Sequence, residues 1–543
     1  MSNRMSYVLA VLILLLAAGL RMWDLTTLQP GLNMDEITTL QVIDRVRGGQ
    51  IAVFHDMGDV GGREGLYPMG VLLVTLFTGE GLPGYRMLTV WTSLITLALT
   101  YSLGVRLFGR VAGIAAMTLL SVLMLDILLA RLLLPESLLV LLIVATLLVL
   151  ARALPVYRDI DIDSSNTISF AALGVLPAMA LYVHPAGLLL TAVCAAFIFY
   201  ILVFHSRTAR SRAGYIGFTL LVFGTLSIPY LTSSINLATL AAAPRLLYMP
   251  DNIGQAIGET FSAFVFQGDL SPLYNFSGRP LVDLLSGFFI LIGVLIVVRG
   301  WRSPRFALPL IAGVFFLPYV IFAPEAADFS RFMILSPIVV LFFGLSVRTL
   351  LGMMSRQTGR LVVLVLLVLF GFNCFWAGQD VFLRWTTQDN IPQLYHHREG
   401  LLAHYIDNTV QDIPTVLCDA SVTEDVPDDP FSSVDLIRKL MNRKTVLLHR
   451  IDCRTAYLFT NGGEREQIIL PESELQAQIM PYLQDWFSQA SELSGERIPP
   501  ESVYIMDAPD MLADRAGSFT TISPLRYPQR VEGEFPVTFP PLK

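Results

Sequence analysis

The chain has 543 residues, of which 54% are hydrophobic and only 15% are charged, and its formal net charge is −7. Soluble globular domains carry about 25% charged residues, so this composition excludes a soluble protein and predicts a chain that lies mostly in lipid. The negative charge and the near absence of lysine argue against nucleic acid as a partner.

Uninterrupted apolar runs, such as the one from Leu138 to Ala151, recur along the first 378 residues. A helix needs about 20 apolar residues to cross a bilayer, and helices satisfy the backbone in lipid. The first run, Tyr7 to Leu20, could be a cleaved signal peptide, but no small-residue cleavage site follows it and Trp23 suits a membrane interface. We predict eleven membrane-spanning helices, at about residues 6–22, 84–106, 111–130, 136–153, 168–184, 186–204, 213–230, 280–298, 305–322, 332–350 and 360–378.

Arginines in the short loops predict the orientation. If the N-terminus is cytoplasmic, every short basic loop falls on the cytoplasmic side, as the positive-inside rule requires. These loops contain Arg4, Arg106, Arg110, Arg152, Arg158, Arg207, Arg210, Arg212, Arg299, Arg302, Arg305, Arg348, Arg356 and Arg360. The first loop (23–83), the large loop 231–279 and the tail (379–543) then lie outside, and the protein is placed in the plasma (inner) membrane.

The first outer loop contains two apolar helical patterns. Residues 36–46 have apolar side chains at helical spacing, which predicts an amphipathic helix at the membrane surface. Residues 66–78 are apolar but too short for an ordinary crossing, which favours an interfacial or re-entrant helix. A transmembrane domain is therefore predicted at residues 1–378.

The tail, residues 379–543, is predicted to be a soluble extracytoplasmic α/β domain. Short strand-like runs alternate with helical patterns there. Cys418 and Cys453 could pair if the tail is outside. Strands are predicted at 415–418, 445–448, 456–459 and 503–505, and helices at 434–441 and 472–493. The predicted fold class is thus an α-helical multi-pass membrane protein with a small C-terminal α/β domain.

Charged residues gather on the predicted outer face, where proximity to lipid makes them costly and therefore candidates for function. This outer set comprises Asp35, Glu36, His55, Asp56, Arg63, Glu64, Asp126, Arg131, Glu136, His184, Asp251, Asp269, Arg279, Glu325, Asp328 and Arg331.

The pair Asp35-Glu36 has two interpretations. It stands where a helix would begin, so it could cap that helix. Alternatively, a carboxylate at the bilayer edge could act as a general base towards an acceptor hydroxyl or amine.

The outer-face arginines and His184 also have two interpretations each. The arginines could snorkel to the interface or bind the phosphate of a lipid carrier. Arg131 could instead form a structural ion pair with Glu136 or Asp126. His184 could be only a polar interface residue.

Four stretches of sequence resemble the glycosyltransferase C (GT-C) superfamily, in the bacterial branch of protein O-mannosyltransferases and aminoarabinose transferases (family 39). The first carries the acidic pair in Pro30-Gly-Leu-Asn-Met-Asp35-Glu36. The others are Gly61-Gly-Arg63-Glu64-Gly-Leu-Tyr67-Pro68, Gln267-Gly-Asp269-Leu-Ser-Pro-Leu-Tyr-Asn275-Phe-Ser-Gly-Arg279-Pro280 and Arg331-Phe-Met-Ile-Leu-Ser-Pro337. The chain departs from the pattern at His184, where many relatives have an arginine, and at Leu273-Tyr274, where relatives often have a basic residue.

The resemblance implies a glycosyltransferase that moves a sugar from a polyprenyl-phosphate donor to an outer-face acceptor, with inversion. The acceptor could be a protein, a lipid or a glycan, and membrane lipids surround the enzyme. Asp35 is implied as the general base with Glu36 as its support. A divalent ion could lie near Asp35, Glu36 or His55, but relatives similar to the aminoarabinose transferases are thought to act without one, so no metal or other cofactor is expected. The candidate residues for binding the donor and its phosphate are Arg63, Glu64, Arg131, Glu136, His184, Asp269, Arg279 and Arg331.

Two other functions stay open at this point. The protein could be a transporter or flippase for a lipid-linked sugar, although no inverted repeat with paired broken helices is visible. It could also be a non-catalytic cell-envelope scaffold that recruits partners through its tail.

Overall fold

The computed structural model describes residues 3–25, 28, 31–57, 62–154, 167–206, 211–233, 247–324, 327–408, 414–418, 433–443, 445–451, 457–459, 465–471, 491–492, 501–507, 520–522 and 531–533. The chain divides into two compact units, with the main division between Leu394 and Tyr395. The short segments Pro30–Leu32 and Gly79–Leu82 group with the second unit. The domain limits given above stay a prediction.

The first unit is helical, and every segment predicted to span the membrane contains a helix. In chain order the helices are α1 (Asn3–Met22), α2 (Met34–Arg47), α3 (Leu66–Thr78), α4 (Leu82–Phe108), α5 (Arg110–Val122), α6 (Met124–Leu129), α7 (Glu136–Ala153), α8 (Thr167–Leu181), α9 (Gly187–Phe204), α10 (Ala213–Thr232), α11 (Ile253–Val265), α12 (Leu284–Arg299), α13 (Pro304–Ile321), α14 (Phe329–Met353), α15 (Arg356–Gln379) and the short α16 (Ile391–Leu394).

Within the described part of the chain, eight helices are long and apolar enough to cross a membrane, and α3, α5, α8 and α12 are shorter apolar helices. The predicted fold class is therefore confirmed.

The third predicted span is interrupted at Leu123, whose extended backbone (φ −65°, ψ 124°) separates α5 from α6. A break frees backbone carbonyls, which lipid cannot satisfy. The buried guanidinium of Arg21, on α1, supplies a donor: its Nη1 lies 3.2 Å from the carbonyl oxygen of Ser121. On α6, Asp126 accepts a hydrogen bond from the hydroxyl of Ser336 at 2.9 Å. Charged side chains near the break thus stabilise an interrupted helix.

The core of the first unit is α14, whose most apolar window is 78% buried. Glycines allow its neighbours to approach closely. A side chain at Gly293 of α12 would overlap the main chain of Phe342, and one at Gly344 would overlap the main chain of Ala112 on α5. Close backbone contact at small residues is a common way for helices to associate in membranes.

The two ends of the helix bundle differ in charge. At the end where α4 and α7 finish, Arg106 donates to the carbonyl of Ala151 at 3.0 Å, and Arg212 donates to the carbonyl of Ala153. Arg348 lies beside Gly109 at the same end. Helix α7 begins at Glu136 on the opposite end, where the acidic residues of the first loop lie.

The first loop folds against the bundle. Helix α2 confirms the predicted helix, but its apolar residues are buried in the protein and do not rest on the membrane surface. The reason is that α3 and the neighbouring segments cover that face. A hairpin of β1 (Phe54–Asp56) and β2 (Gly62–Glu64) follows, with His55 opposite Arg63. Helix α3 exposes Leu73, Leu76 and Phe77, which suits a helix at the lipid interface.

The second unit contains a mixed sheet. Its helices are α17 (His397–Asn408) and α18 (Ser433–Leu440), and its strands are β3 (Thr415–Cys418), β4 (Leu448–Ile451), β5 (Tyr457–Phe459), β6 (Arg465–Pro471), β7 (Ser491–Glu492), β8 (Glu501–Asp507), β9 (Thr520–Ile522) and β10 (Val531–Gly533). Six strands form one sheet in the order β10-β4-β3-β6-β8-β7, and β5 pairs with β9. Strand β3 is parallel to β4 and β6, and the other pairs are antiparallel. The predicted α/β class of the tail is confirmed.

Most predicted elements of the tail lie close to the observed ones. The strand predicted at 445–448 is three residues too early, because pairing with β3 begins at Leu448. The helix predicted at 472–493 lies outside the described residues, except for Ser491–Glu492, which form a strand. Cys418 is disulfide-bonded, and Cys453, its predicted partner, lies outside the described residues.

Candidate active site

Asp35 lies in the first turn of α2, but it is not the residue that caps the helix. Asn33 is the N-cap: its side chain accepts from the N–H of Glu36 at 2.9 Å, and its own N–H donates to the Glu36 carboxylate at 3.1 Å. This reciprocal pair is a capping box. The capping interpretation therefore applies to Glu36, and the Asp35 carboxylate is left available for other contacts.

Two side chains donate to Asp35, one from the same loop and one from a distant part of the chain. Arg63 Nη2, from β2, lies 2.8 Å from Asp35 Oδ1. The hydroxyl of Tyr274, from the loop between α11 and α12, lies 2.5 Å from Asp35 Oδ2. The side chains of Asp35 and Arg63 are 44% and 32% exposed. The carboxylate is thus held on both oxygens while it remains open to a ligand.

Glu36 is fully buried beneath Asp35 and is surrounded by donors. Arg86, at the start of α4, donates from Nε at 3.0 Å and from Nη2 at 3.2 Å. The N–H of Leu133 donates at 2.9 Å. Together with the bond from Asn33, the carboxylate accepts four hydrogen bonds, which satisfies a buried charge. Glu36 therefore fixes the position of α2 relative to α4 and to the loop before α7, and it does not face solvent.

Glu64, Glu136 and His184 form an electrostatic cluster around Arg63. The charge of Arg63 acts on all three side chains, and that of Asp35 acts on Glu136. Oxygen Oε1 of Glu64 and oxygen Oε2 of Glu136 are buried and lack a hydrogen-bond partner among the described residues. The structure thus places these predicted site residues together with Asp35.

Burial sets the protonation of the cluster outside the helices. It raises the pKa of Glu64 to about 7, with Arg63 opposing the effect. It lowers the pKa of His184 to about 3, and the neighbouring cations Arg63 and Arg331 lower it further. His184 is therefore neutral at physiological pH.

The hydrogen bond to His184 fixes its tautomer. The N–H of Ala186 donates to Nδ1 at 3.1 Å, so the ring proton lies on Nε2. Nε2 faces Glu136 Oε1 at 3.5 Å. The neutral ring can therefore donate towards Glu136. Both ring nitrogens thus face defined partners, which distinguishes His184 from a polar residue that only faces the interface.

Arg331 borders the cluster at the start of α14. Its Nη1 lies 3.0 Å from the carbonyl oxygen of Tyr319 and 3.2 Å from that of Phe322. Its guanidinium lies 4.3 Å from the centre of the Tyr319 ring, which in turn contacts His184 edge-on. Arg331 is 7% exposed. It therefore supplies a fixed positive charge at this side of the cluster.

Arg131 lies apart from the Asp35 cluster. Its terminal nitrogens donate to the carbonyls of Trp23 at 2.6 Å and Asp24 at 2.8 Å, and the side chain is fully buried. Among the described residues it makes no ion pair with Glu136 or Asp126. In this structure Arg131 fastens the segment after α6 to the end of α1, and phosphate binding by this residue stays a prediction.

Asp269 and Arg279 hold the loop that presents Tyr274. Asp269 Oδ2 accepts from the N–H of Phe329, at the start of α14, at 3.1 Å. Arg279 pairs with Asp380 at 3.0 Å and stacks over Trp376 at 4.3 Å. These contacts fasten both ends of the loop. Asp269 and Arg279 thus position Tyr274. Direct contact of these two residues with a donor stays a prediction.

Two residues of the site were not predicted from the sequence. Tyr274 lies in the third stretch that resembles the GT-C pattern, at a position where the sequence departs from that pattern. Arg86 lies inside the second predicted span, and a charge inside an apolar segment is itself a signal of function or burial. The partners of both residues, Asp35 and Glu36, are far away in sequence.

An apolar groove of about 980 Å³ runs beside the loop that carries Tyr274. Its walls are α11, α12, α13 and α14. Its lining includes Leu335, one helical turn after Arg331. The lining is formed by Phe261, Phe264, Val265, Phe266, Val282, Leu284, Leu285, Gly287, Phe288, Ile290, Leu291, Val294, Val297, Leu310, Gly313, Val314, Leu317, Leu335, Ile338, Val339 and Phe342. The groove therefore suits a long hydrocarbon chain whose polar end lies near the cluster.

Comparison with known proteins gives matches in structure only. No family model and no curated protein sequence matches the chain. The oligosaccharyltransferase of Archaeoglobus fulgidus, tethered with an acceptor peptide containing the NVT sequon, matches with a TM-score of 0.51 and 11% identity over 81% of this chain and 64% of that one. The same archaeal protein, in complex with an inhibitory peptide and a dolichol-phosphate, matches with a TM-score of 0.51 and 12% identity. This chain thus spans less than two thirds of the length of the archaeal protein.

ArnT from Cupriavidus metallidurans in the apo state matches with a TM-score of 0.52 and 10% identity, over 95% of this chain and 100% of that one. These matches define the class of the fold. The chain shares its fold with the Archaeoglobus fulgidus oligosaccharyltransferase and with ArnT from Cupriavidus metallidurans, which agrees with the fold that the resemblance in sequence implies.

Proposed function

We propose that this protein is a glycosyltransferase of the GT-C type, which moves a sugar from a polyprenyl-phosphate carrier to an acceptor at the outer face of the membrane. The observation that carries the proposal is the half-exposed Asp35 carboxylate, held by Arg63 at 2.8 Å and by Tyr274 at 2.5 Å beside a long apolar groove. A base, a cation and a lipid-sized groove together match this chemistry.

Asp35 is the proposed general base. The acceptor hydroxyl or amine gives its proton to the Asp35 carboxylate, and its oxygen or nitrogen forms a bond with the anomeric carbon. The bond between that carbon and the phosphate oxygen breaks, and the polyprenyl phosphate leaves with the electron pair. Attack from the face opposite the leaving group inverts the anomeric carbon. Glu36 supports the base by holding α2 in place.

The cations of the cluster are the proposed phosphate site. Arg63 and Arg331 lie on the same side of the unit and both act on His184. Negative charge grows on the phosphate as the carbon–oxygen bond breaks, so fixed cations stabilise the transition state more than the ground state. Glu64, Glu136 and His184 are proposed to hold the sugar through hydrogen bonds.

The groove is the proposed site of the isoprenoid chain. Its lining is aliphatic and aromatic, and it includes Leu335, one helical turn after Arg331. The archaeal neighbour was solved with a dolichol-phosphate, which supports a polyprenyl phosphate as the carrier here. The proposed acceptor is a protein, a lipid or a glycan that reaches the exposed side of Asp35.

The charge distribution supports the proposed orientation. Arginines gather at the end of the bundle opposite Asp35, and the positive-inside rule places such an end in the cytoplasm. The disulfide-bonded Cys418 in the second unit suits an oxidising compartment. We therefore place the cluster and the C-terminal unit on the outer face of the plasma (inner) membrane.

The test is transfer of radiolabelled sugar from a panel of polyprenyl-phosphate sugars by the purified protein in vesicles that contain native acceptors. Wild type should label an acceptor, and Asp35→Asn should not, although it inserts and melts like wild type. Asp56→Asn is the matched control, because Asp56 is an exposed aspartate of the same loop. Full activity of Asp35→Asn would refute the assignment of the base. Binding of donors without transfer would favour the flippase alternative.

A further inference from the structure

Among the described arginines around the site, Arg63 is the most exposed to a ligand. Its side chain is 32% exposed, whereas those of Arg86, Arg279 and Arg331 are 0%, 6% and 8% exposed. Arg331 also has a terminal nitrogen engaged by two main-chain carbonyls. In the structure, however, the exposed guanidinium of Arg63 donates to Asp35 Oδ1 at 2.8 Å. The proposed base and the proposed phosphate therefore need the same side chain.

We propose that Arg63 binds Asp35 and the donor phosphate one after the other. Before the donor binds, Arg63 holds Asp35, and when the donor arrives, Arg63 donates to the donor phosphate instead. The exchange frees Asp35 Oδ1 to accept the proton of the acceptor. Donor binding would thereby switch on the base, so the acceptor is activated only when a donor is in place. This inference rests on the proposed function.

Growing charge at the phosphate favours the exchange. The phosphate diester of the donor carries one negative charge, and the leaving polyprenyl phosphate gains a second as the carbon–oxygen bond breaks. Asp35 changes in the opposite direction, because it is neutralised when it takes the acceptor proton. The attraction of Arg63 therefore moves from the carboxylate to the phosphate during the reaction.

Tyr274 is the positioning residue that keeps Asp35 in place when Arg63 leaves. Its hydroxyl donates to the other oxygen, Oδ2. The loop around it is fixed, since Trp385 Nε1 donates to the carbonyl of Pro272 at 2.7 Å and Asn275 bridges the carbonyls of Asp269 and Arg279. A carboxylate held by one rigid partner keeps its direction while the other oxygen is released.

The experiment is a double-mutant cycle on the affinity for undecaprenyl phosphate, measured in phosphatidylcholine nanodiscs by titration calorimetry. The proteins are wild type, Asp35→Asn, Arg63→Gln and the double variant. Partly exposed ion pairs contribute up to about 1 kcal/mol, which is a factor of about five in affinity. Asp35→Asn should therefore tighten binding up to about five-fold, because Arg63 no longer has a competing partner, and Arg63→Gln should weaken it.

The coupling between the two sites decides the result. The tightening caused by Asp35→Asn should disappear in the Arg63→Gln background, and Asp56→Asn should not alter the affinity. Equal tightening in both backgrounds would show simple charge repulsion and would overturn the proposal, as would unchanged affinity of Arg63→Gln. If Arg63→Gln does not fold, Arg63→Lys replaces it, with a smaller expected coupling because lysine lacks the bidentate geometry.

The binding assay needs no turnover, so the two proposals fail separately. Absence of coupling in a protein that transfers sugar refutes only the exchange of Arg63. Absence of transfer by wild type refutes the proposed function. For Tyr274→Phe, kcat should fall while the affinity for undecaprenyl phosphate stays the same; a change in affinity alone would contradict a positioning role.

Discussion

Replacing Arg86 with methionine should destabilise the whole first unit. The side chains of Arg86 and Glu36 are both fully buried, and two hydrogen bonds of 3.0 and 3.2 Å join them. Methionine fills a similar space but, among the described residues, leaves the Glu36 carboxylate with the main-chain donors of Asn33 and Leu133 alone. Removing one partner of a buried ion pair costs about 3–5 kcal/mol. That is a large part of the roughly 5–15 kcal/mol that stabilises a typical protein.

A second substitution separates the unpaired charge from lost packing. Glu36→Gln removes the charge and retains an acceptor for the two main-chain donors, so the double variant Glu36→Gln/Arg86→Met should recover part of the loss. The matched control is Arg384→Met. Arg384 also pairs with a carboxylate, that of Asp380, at 3.1 Å, but its side chain is 50% exposed, so its loss should cost at most about 1 kcal/mol.

The assay is the apparent melting temperature of each detergent-purified variant, read as the fraction that stays monodisperse after heating. Arg86→Met should melt lowest, the double variant at an intermediate temperature, and Arg384→Met close to wild type. A double variant as unstable as the sum of the two single changes would refute the idea that the unpaired charge causes the loss. So would an Arg86→Met protein that melts like wild type.

Three further outcomes are expected. Burial raises the pKa of Glu64 from 4.5 to about 7, so the free energy of unfolding of the wild type falls as the pH rises through that interval. The melting temperature of Glu64→Gln should therefore exceed that of wild type by a margin that grows from pH 5 to pH 8, and a constant difference would contradict this. Gly293→Ala should lower the melting temperature because α14 is in contact, whereas Gly371→Ala, which has open space around it, should not; equal melting of the two would contradict the close packing. Val294→Trp narrows the apolar groove and should raise the KM for a long polyprenyl donor more than the KM for a short one. An equal rise in both KM values would mean that the isoprenoid chain of the donor lies outside the groove.

The helices of the first unit could be predicted from the sequence because lipid leaves an apolar run few alternatives. The same reasoning did not predict the break at Leu123, since neither glycine nor proline marks it. Arg21 and Ser336, which support the broken segment, come from distant helices. The presence of Asp126 within an apolar run was the available signal. The burial of α2 was missed for a similar reason, because an amphipathic pattern does not show whether protein or lipid covers its apolar face.

The candidate site was predicted in part. Asp35 and Arg63 belong to the same loop, and the motifs that contain them indicated a shared function. Tyr274 is 239 positions from Asp35, and no local pattern reports a contact over that separation. The resemblance in sequence implied Asp35 as the base and Glu36 as its support, but it supplied no physical reason for that division. The structure separates them, because consecutive residues of a helix point in different directions: one faces the opening and the other is buried against Arg86.

The apolar groove has a consequence for how any ligand reaches it. Phe288, Leu291 and Val314 line it and are more than half exposed, so in a membrane the acyl chains of ordinary lipids occupy this surface. A long-chain carrier then enters sideways within the bilayer, and its binding is an exchange of one hydrocarbon chain for another. Such an exchange releases little hydrophobic free energy, since lipid tails are as apolar as leucine. Selection of the carrier depends instead on its charged end, and its measured affinity will vary with the lipids that compete for the groove.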